Sequence, residues 1–124
     1  MIYLDTHVVI WMYIGDLTLF SRNSKKLIDA EDLKISPMVI LELHYLEELG
    51  RLKVPADAIM KDLQQRVGLS VCDRSFPLVV ESAASCAWTR DPFDRIIAGQ
   101  AQLSGSRLLT KDKTIRRHYS MAVW

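Results

Sequence analysis

Asp91-Pro92-Phe93-Asp94-Arg95-Ile96-Ile97-Ala98-Gly99-Gln100-Ala101-Gln102-Leu103-Ser104-Gly105-Ser106-Arg107-Leu108-Leu109-Thr110 is the stretch that decides the fold. An acid followed by proline marks a helix start. The carboxylate caps free backbone N–H groups, and proline's fixed φ suits the first helical position. The helix runs to about residue 103, and Ser104-Gly105 ends it. Residues 107–110 then form a short apolar run that reads as a buried strand, and a second acid, Asp112, opens a short helix to about residue 119.

The same unit recurs on both sides. Residues 2–4 read as a buried strand ending in Asp5-Thr6, with a helix from about Thr6 that Gly15-Asp16 breaks. Residues 21–30 place Leu27 and Ile28 on one face and Lys25 and Lys26 on another, as an amphipathic helix does. Residues 33–36 read as a second strand. Ser36-Pro37 caps a helix to about residue 49, stopped by Gly50. Residues 55–66 form a further helix ended by Gly68, residues 69–72 a third strand and residues 77–87 another helix. Residues 122–124 close the chain as an edge strand. Short strands alternating with helices of ten or so residues specify a mostly parallel sheet covered on both faces, a three-layer α/β/α sandwich.

Composition narrows the function. The chain has 124 residues, 49% hydrophobic and 25% charged, and reads as one domain over residues 1–124. A net charge of +1 excludes a polybasic nucleic-acid binder but leaves room for a local basic rim. Residues 90–124 hold 7 basic and 3 acidic side chains, whereas residues 1–89 hold 9 and 12. The longest apolar run has seven residues, from Val8 to Ile14, and a membrane span needs about 20. The N-terminal residues lack a basic signal region, so a cytoplasmic protein is expected. Cys72 and Cys86 have no zinc or disulfide spacing and read as buried thiols. Glycine-rich nucleotide loops, the Gly-x-Ser-x-Gly elbow and the His-Glu-x-x-His zinc motif are absent.

The acids carry the chemistry. In open α/β sheets, sites form at the carboxyl ends of strands. Asp5 ends the first strand, Asp112 follows the fourth, and Asp91 and Asp94 begin the helix that feeds it. Helix capping accounts for any one of these, Asp91 above all. Glu42 is different. Its helical neighbours are Met38, Val39, Tyr45 and Leu46, so it faces inward or lines a cleft, paired either with a metal or with a buried arginine such as Arg95. Glu47, with Arg51 four residues on, reads as a surface pair. Two carboxylates about 4 Å apart repel by roughly 4 kcal/mol at an effective dielectric of 20, so several in one cleft call for a cation. All-oxygen ligands suit Mg²⁺, with Mn²⁺ as the alternative, and a hydrated site of that kind suits phosphodiester hydrolysis.

These residues resemble those of the PIN domain, and the chain as a whole resembles the VapC-type toxin ribonucleases of bacterial toxin–antitoxin pairs. Asp5-Thr6-His7-Val8-Val9-Ile10-Trp11 is similar to their opening segment, and Gly15-Asp16 with Leu19 and Ser21 to the first loop. Glu42 matches the helix glutamate, followed by Gly50-Arg51-Leu52. Arg90-Asp91-Pro92-Phe93-Asp94-Arg95 with Ile97-Ala98-Gly99-Gln100-Ala101 matches the longest motif, and Leu108-Leu109-Thr110-Lys111-Asp112 the last acidic one. Ser85-Cys86-Ala87-Trp88-Thr89 departs from the relatives' pattern.

The resemblance implies a Mg²⁺-dependent endoribonuclease with Asp5, Glu42, Asp94 and Asp112 in the four acidic positions. Asp91 is secondary, and Thr6 and Thr110 are hydroxyl supports. It implies products with a 5′-phosphate and a 3′-hydroxyl, a homodimer, and an antitoxin whose tail enters the acidic groove. Arg95 or Lys111 would stabilise charge on the phosphate, and Lys113, Arg116 and Arg117 would steer RNA. Two readings compete: a catalytically dead PIN module that only binds, and a Mg²⁺-binding receiver-type signalling domain. Receiver domains carry paired acids after the first strand. Here Asp5 stands alone, before Thr6 and His7.

Overall fold

The computed structural model describes all 124 residues. Five strands, β1 (Ile2–Leu4), β2 (Leu33–Ile35), β3 (Ser70–Val71), β4 (Arg107–Leu109) and β5 (Ala122–Val123), form one sheet in the order β3-β2-β1-β4-β5. Every neighbouring pair is parallel, so the sheet is wholly rather than mostly parallel. The C-terminal edge strand joins in the same sense because the last helix carries the chain back across the sheet. The central strands are covered on both faces: Ile2, Tyr3, Leu4, Leu33, Ile35, Leu108 and Leu109 are all buried, as continuous apolar runs require.

Seven helices cover the sheet: α1 (Thr6–Ile14), α2 (Arg22–Ala30), α3 (Pro37–Glu48), α4 (Ala56–Val67), α5 (Phe76–Ala84), α6 (Pro92–Leu103) and α7 (Lys113–His118). α1, α3 and α4 pack mutually, and α6 lies between α3, α5 and β4. Val8, Val9, Val39, Leu43, Ile59, Leu63, Ile97 and Ala101 point into the core. The chain winds outward from β1 through β2 to β3, then returns to place β4 on the other side of β1. The strand order therefore reverses between β1 and β4, and that gap is where a parallel sheet opens a crevice at its carboxyl edge.

Three local readings differ from the structure. α5 stops at Ala84, three residues early, because the Ser85 hydroxyl donates to Ser82 O at 2.7 Å and turns the chain. A short 3₁₀ helix at Leu17–Leu19 follows the Gly15-Asp16 break, since Asp16 accepts from both the N–H and the hydroxyl of Thr18. Glu47 and Arg51 do not pair, because α3 ends before Arg51 is reached; Glu47 sits 3.8 Å from His44 instead. Cys72 and Cys86 are free and buried, as read.

Candidate active site

The N-terminus of α1, the middle of α3, the first turn of α6 and the segment between β4 and α7 meet at the carboxyl edge of β1 and β4. Asp5, His7, Trp11, Glu42, Asp91, Asp94, Lys111 and Asp112 line the resulting cleft, of about 270 Å³. All four acids of the main motif, and Asp91, therefore share one cavity.

Asp5 is the deepest and the most constrained. It is 7% exposed. Its Oδ1 accepts from Thr6 N at 2.8 Å, which caps α1, and its Oδ2 accepts from the Thr110 hydroxyl at 2.6 Å. The same Thr110 oxygen accepts from Asp112 N at 3.1 Å, so one hydroxyl ties the two acidic strand ends together. Burial pushes the Asp5 carboxyl above its usual range, and the bonds from Thr110 and Thr6 pull against that shift. Replacing Thr110 with valine keeps the volume but leaves a buried carboxylate oxygen without a donor and the Asp112 N–H without an acceptor. Thr110→Val is expected to lose about 1–3 kcal/mol in denaturant unfolding. A midpoint equal to wild type would show that this hydroxyl supports nothing.

Asp91 and Asp112 are exposed and cap helices. Asp91 Oδ1 accepts from Phe93 N at 2.8 Å at the start of α6, and Asp112 Oδ1 accepts from Ile115 N at 2.9 Å at the start of α7. Each commits one oxygen to its helix and turns the other to its surroundings. Glu42 and Asp94 are half-buried, and neither carboxyl accepts a side-chain hydrogen bond of normal geometry, although the Thr6 hydroxyl lies close enough to Glu42 to act on it. Burial pushes the Glu42 carboxyl up, with the Thr6 hydroxyl beside it opposing the shift and Asp5 adding to it. Asp94 is pushed to about 7, first by burial and then by the negative charges of Asp91, Asp5, Asp112 and Glu42. The Thr6 hydroxyl is buried with no partner.

The donor set is all oxygen, with no cysteine, and His7 stands at its exposed margin. No three acidic, histidine or cysteine side chains close into a complete protein cage for a metal. An all-oxygen donor set is of the kind that takes a hard divalent cation. The two unpartnered carboxylates and the orphaned Thr6 hydroxyl are the atoms such a cation would satisfy.

The basic residues divide. Lys111 lines the cleft, its ammonium 5.8 Å from the ring centre of Trp11 and 6.0 Å from that of Trp124. Arg95 does not line it. One step along a helix turns about 100°, so beside an inward Asp94 it faces the α5 flank, where it donates to Ala84 O at 3.2 Å. Glu42 accordingly has no buried arginine partner. Lys113, Arg116 and Arg117 lie on α7 outside the cleft, with the Arg116 guanidinium donating to Lys111 O. His7 and Trp11 belong to the cleft although neither stood out as a site residue. The signal was their place on α1, since the first turn after a strand-end aspartate shares its crevice.

An acidic crevice with an all-oxygen donor set thus lies at the switch point of a parallel sheet. The chain belongs to the PIN domain family, whose model matches residues 2–120. Ribonuclease VapC22 of Mycobacterium tuberculosis is 30% identical over 123 residues, covering 93% of this chain and 89% of that protein. Two solved structures share the fold over 100% of this chain. VapBC2 from Rickettsia felis bound to a promoter DNA fragment has a TM-score of 0.69 at 20% identity and is covered to 98%. A toxin–antitoxin complex from Klebsiella pneumoniae has 0.65 at 17% and is covered to 97%.

Proposed function

We propose that this chain, acting as one PIN domain, is a Mg²⁺-dependent endoribonuclease and the toxin of a toxin–antitoxin pair. The observation that carries the reading is the shared cleft of Asp5, Glu42, Asp94 and Asp112, drawn from four separate elements. A relative named as a ribonuclease, at 30% identity along nearly the whole chain, supports the same activity.

In this reading Asp5 and Asp94 hold the cation, with Glu42 and Asp112 reaching it directly or through water. When bound, the cation neutralises the carboxylates and supplies Lewis acidity toward water and phosphate. Asp5, clamped from both oxygens, presents its charge without having to reorganise. Glu42, free of hydrogen bonds, orients the attacking water and takes its proton. Lys111, held over two indole rings, offers an ammonium to the phosphate oxygens. As the water oxygen bonds to phosphorus in line, the P–O3′ bond breaks and the leaving 3′-oxygen takes a proton from solvent, giving a 5′-phosphate and a 3′-hydroxyl. The antitoxin blocks the cleft with an arginine, which matches a carboxylate better than any other side chain does. A cytoplasmic place of action is part of the same proposal, and no helix is long and apolar enough to cross a membrane.

Purified, antitoxin-free protein should cut a mixed RNA pool into discrete products with Mg²⁺ or Mn²⁺ and none with chelator. Intact RNA throughout, or cleavage that persists in chelator, would overturn the reading. The homodimer has its own support: Leu41, Phe76, Leu78 and Val80 are large apolar side chains left exposed on α3 and α5. Phe76→Asp should convert a dimer to a monomer in light scattering, and an unchanged mass would remove this face from the interface.

A further inference from the structure

A second cleft, of about 600 Å³, opens directly from the acidic one and shares His7, Glu42 and Asp91 with it. Its remaining lining is of different chemistry: Ile10, Tyr45, Leu46, Arg51, Leu52, Pro92 and Phe93. Tyr45 and Phe93 face each other across α3 and α6, their ring centres 5.7 Å apart and planes 30° from parallel. Phe93 is half-buried, while Tyr45 is 47% exposed and lines the cleft. Arg51 stands at the rim because Gly50, at φ 71°, reverses the chain after α3 and lets Arg51 N–H bond to Leu46 O at 2.9 Å. No carboxylate pairs with the Arg51 guanidinium; the neighbouring acids Glu47 and Asp57 lie against His44 instead.

We propose that this cleft is a base-stacking subsite for one unpaired nucleotide of single-stranded RNA beside the scissile phosphate, with Tyr45 as the platform and Arg51 on the backbone. The inference rests on the ribonuclease reading and adds the residues that would grip the substrate beside the cut. The cleft has room for a base, a flat aromatic surface, and an unpaired cation at the rim, and it runs without a break into the cavity where the phosphate would be cut. A base buried in a duplex cannot reach such a platform, so the site selects loops, bulges and ends. Stacking on an exposed aromatic tolerates any base and depends on the ring rather than on the phenol oxygen.

The test is binding of a fluorescein-labelled, mixed-sequence 12-nucleotide RNA and of its complementary duplex, read by anisotropy in Ca²⁺ to neutralise the carboxylates. Wild type should prefer the single strand. Tyr45→Ala should weaken single-strand binding by about 5- to 100-fold, the range seen for loss of one stacking ring, while Tyr45→Phe stays within about twofold of wild type for the same reason. Tyr45 is exposed, and equal melting temperatures will show that the variants fold alike. Duplex bound as tightly as single strand, or Tyr45→Ala equal to wild type, would overturn the proposal. So would a Tyr45→Ala protein that binds RNA normally and has instead lost a protein partner. Binding is read without turnover. A chain that grips single strands through Tyr45 yet cuts nothing upholds this subsite and overturns the nuclease, and a chain that cuts equally well without the ring does the reverse.

Discussion

Asp94→Asn is expected to lower RNA cleavage by about 10²- to 10³-fold, the usual consequence of losing one preorganised charge at a reacting centre, and to make the metal-free protein more stable than wild type at pH 8. Both results follow from one position. Asp94 sits in the first turn of α6, half-buried, without a hydrogen bond, and faces four other carboxylates. Its folded-state pKa of about 7 stands well above the ordinary 3.8. Between those values the folded chain holds a proton that the unfolded chain has already released. Stability therefore falls as pH rises through that window and levels off above about 7. Thermal melts in chelator at pH 5 and pH 8 will read this directly. Wild type should melt lower at pH 8, and Asp94→Asn should lose part of that difference. Mg²⁺ should raise the wild-type melting temperature, because binding to the folded state alone stabilises it, and should do so far less in the variant. An unchanged pH slope together with an unchanged Mg²⁺ response would remove Asp94 from the site.

Gly99→Ala is expected to be the most damaging single-methyl change in the chain. Helix propensity alone would favour alanine by about 1 kcal/mol. Packing reverses the sign. A Cβ on Gly99 would lie 2.6 Å from Ala83 Cα, 2.7 Å from its nitrogen and 2.8 Å from its Cβ. These are backbone and near-backbone atoms, so no rotamer change relieves the overlap. The Ser82 hydroxyl also donates to Gly99 O at 2.7 Å across the same contact, which holds α5 and α6 at this spacing. Forcing them apart should lose about 2–3 kcal/mol, the upper part of the range for overpacked cores. For a chain of this size that is a fall of roughly 6–12 °C in melting temperature. Because α6 also carries Asp91 and Asp94, the displacement should reduce cleavage as well. A variant that melts at or above the wild-type temperature would show that the two helices are free to separate.

Most of the architecture is legible before any coordinates, and the reasons are local. Asp91-Pro92, Ser36-Pro37 and the glycines Gly15, Gly50, Gly68 and Gly105 mark where several helices begin or end, and short apolar runs between helices read as buried parallel strands. Glu42 is legible as a cleft-lining residue because a charge on an apolar helix stripe must face a cleft or a partner. What stays hidden depends on tertiary facing. Arg95 reads as a neighbour of Asp94 because it is adjacent in the chain, yet the helical turn sends it out of the cleft to the α5 flank. Tyr45 and Phe93 lie 48 residues apart in the numbering and meet only because α3 packs on α6. The close approach at Gly99 is likewise invisible, since it depends on how near α5 lies.

Three of the carboxylates in the cleft, Asp5, Asp91 and Asp112, also begin helices. Asparagine begins a helix about as well as aspartate does, and beside an amide at position 5 the Thr110 hydroxyl need only rotate from donor to acceptor. On the roles proposed for Asp5 and Asp112, the chain would be disarmed in single steps that leave its fold intact. Under selection against a lethal activity, genetic escape should pass through soluble, full-length, folded proteins with amides at positions 5 and 112, more than through aggregation. Such silenced descendants would keep the surfaces outside the cleft that a partner recognises, and would persist as binding proteins long after the chemistry had gone.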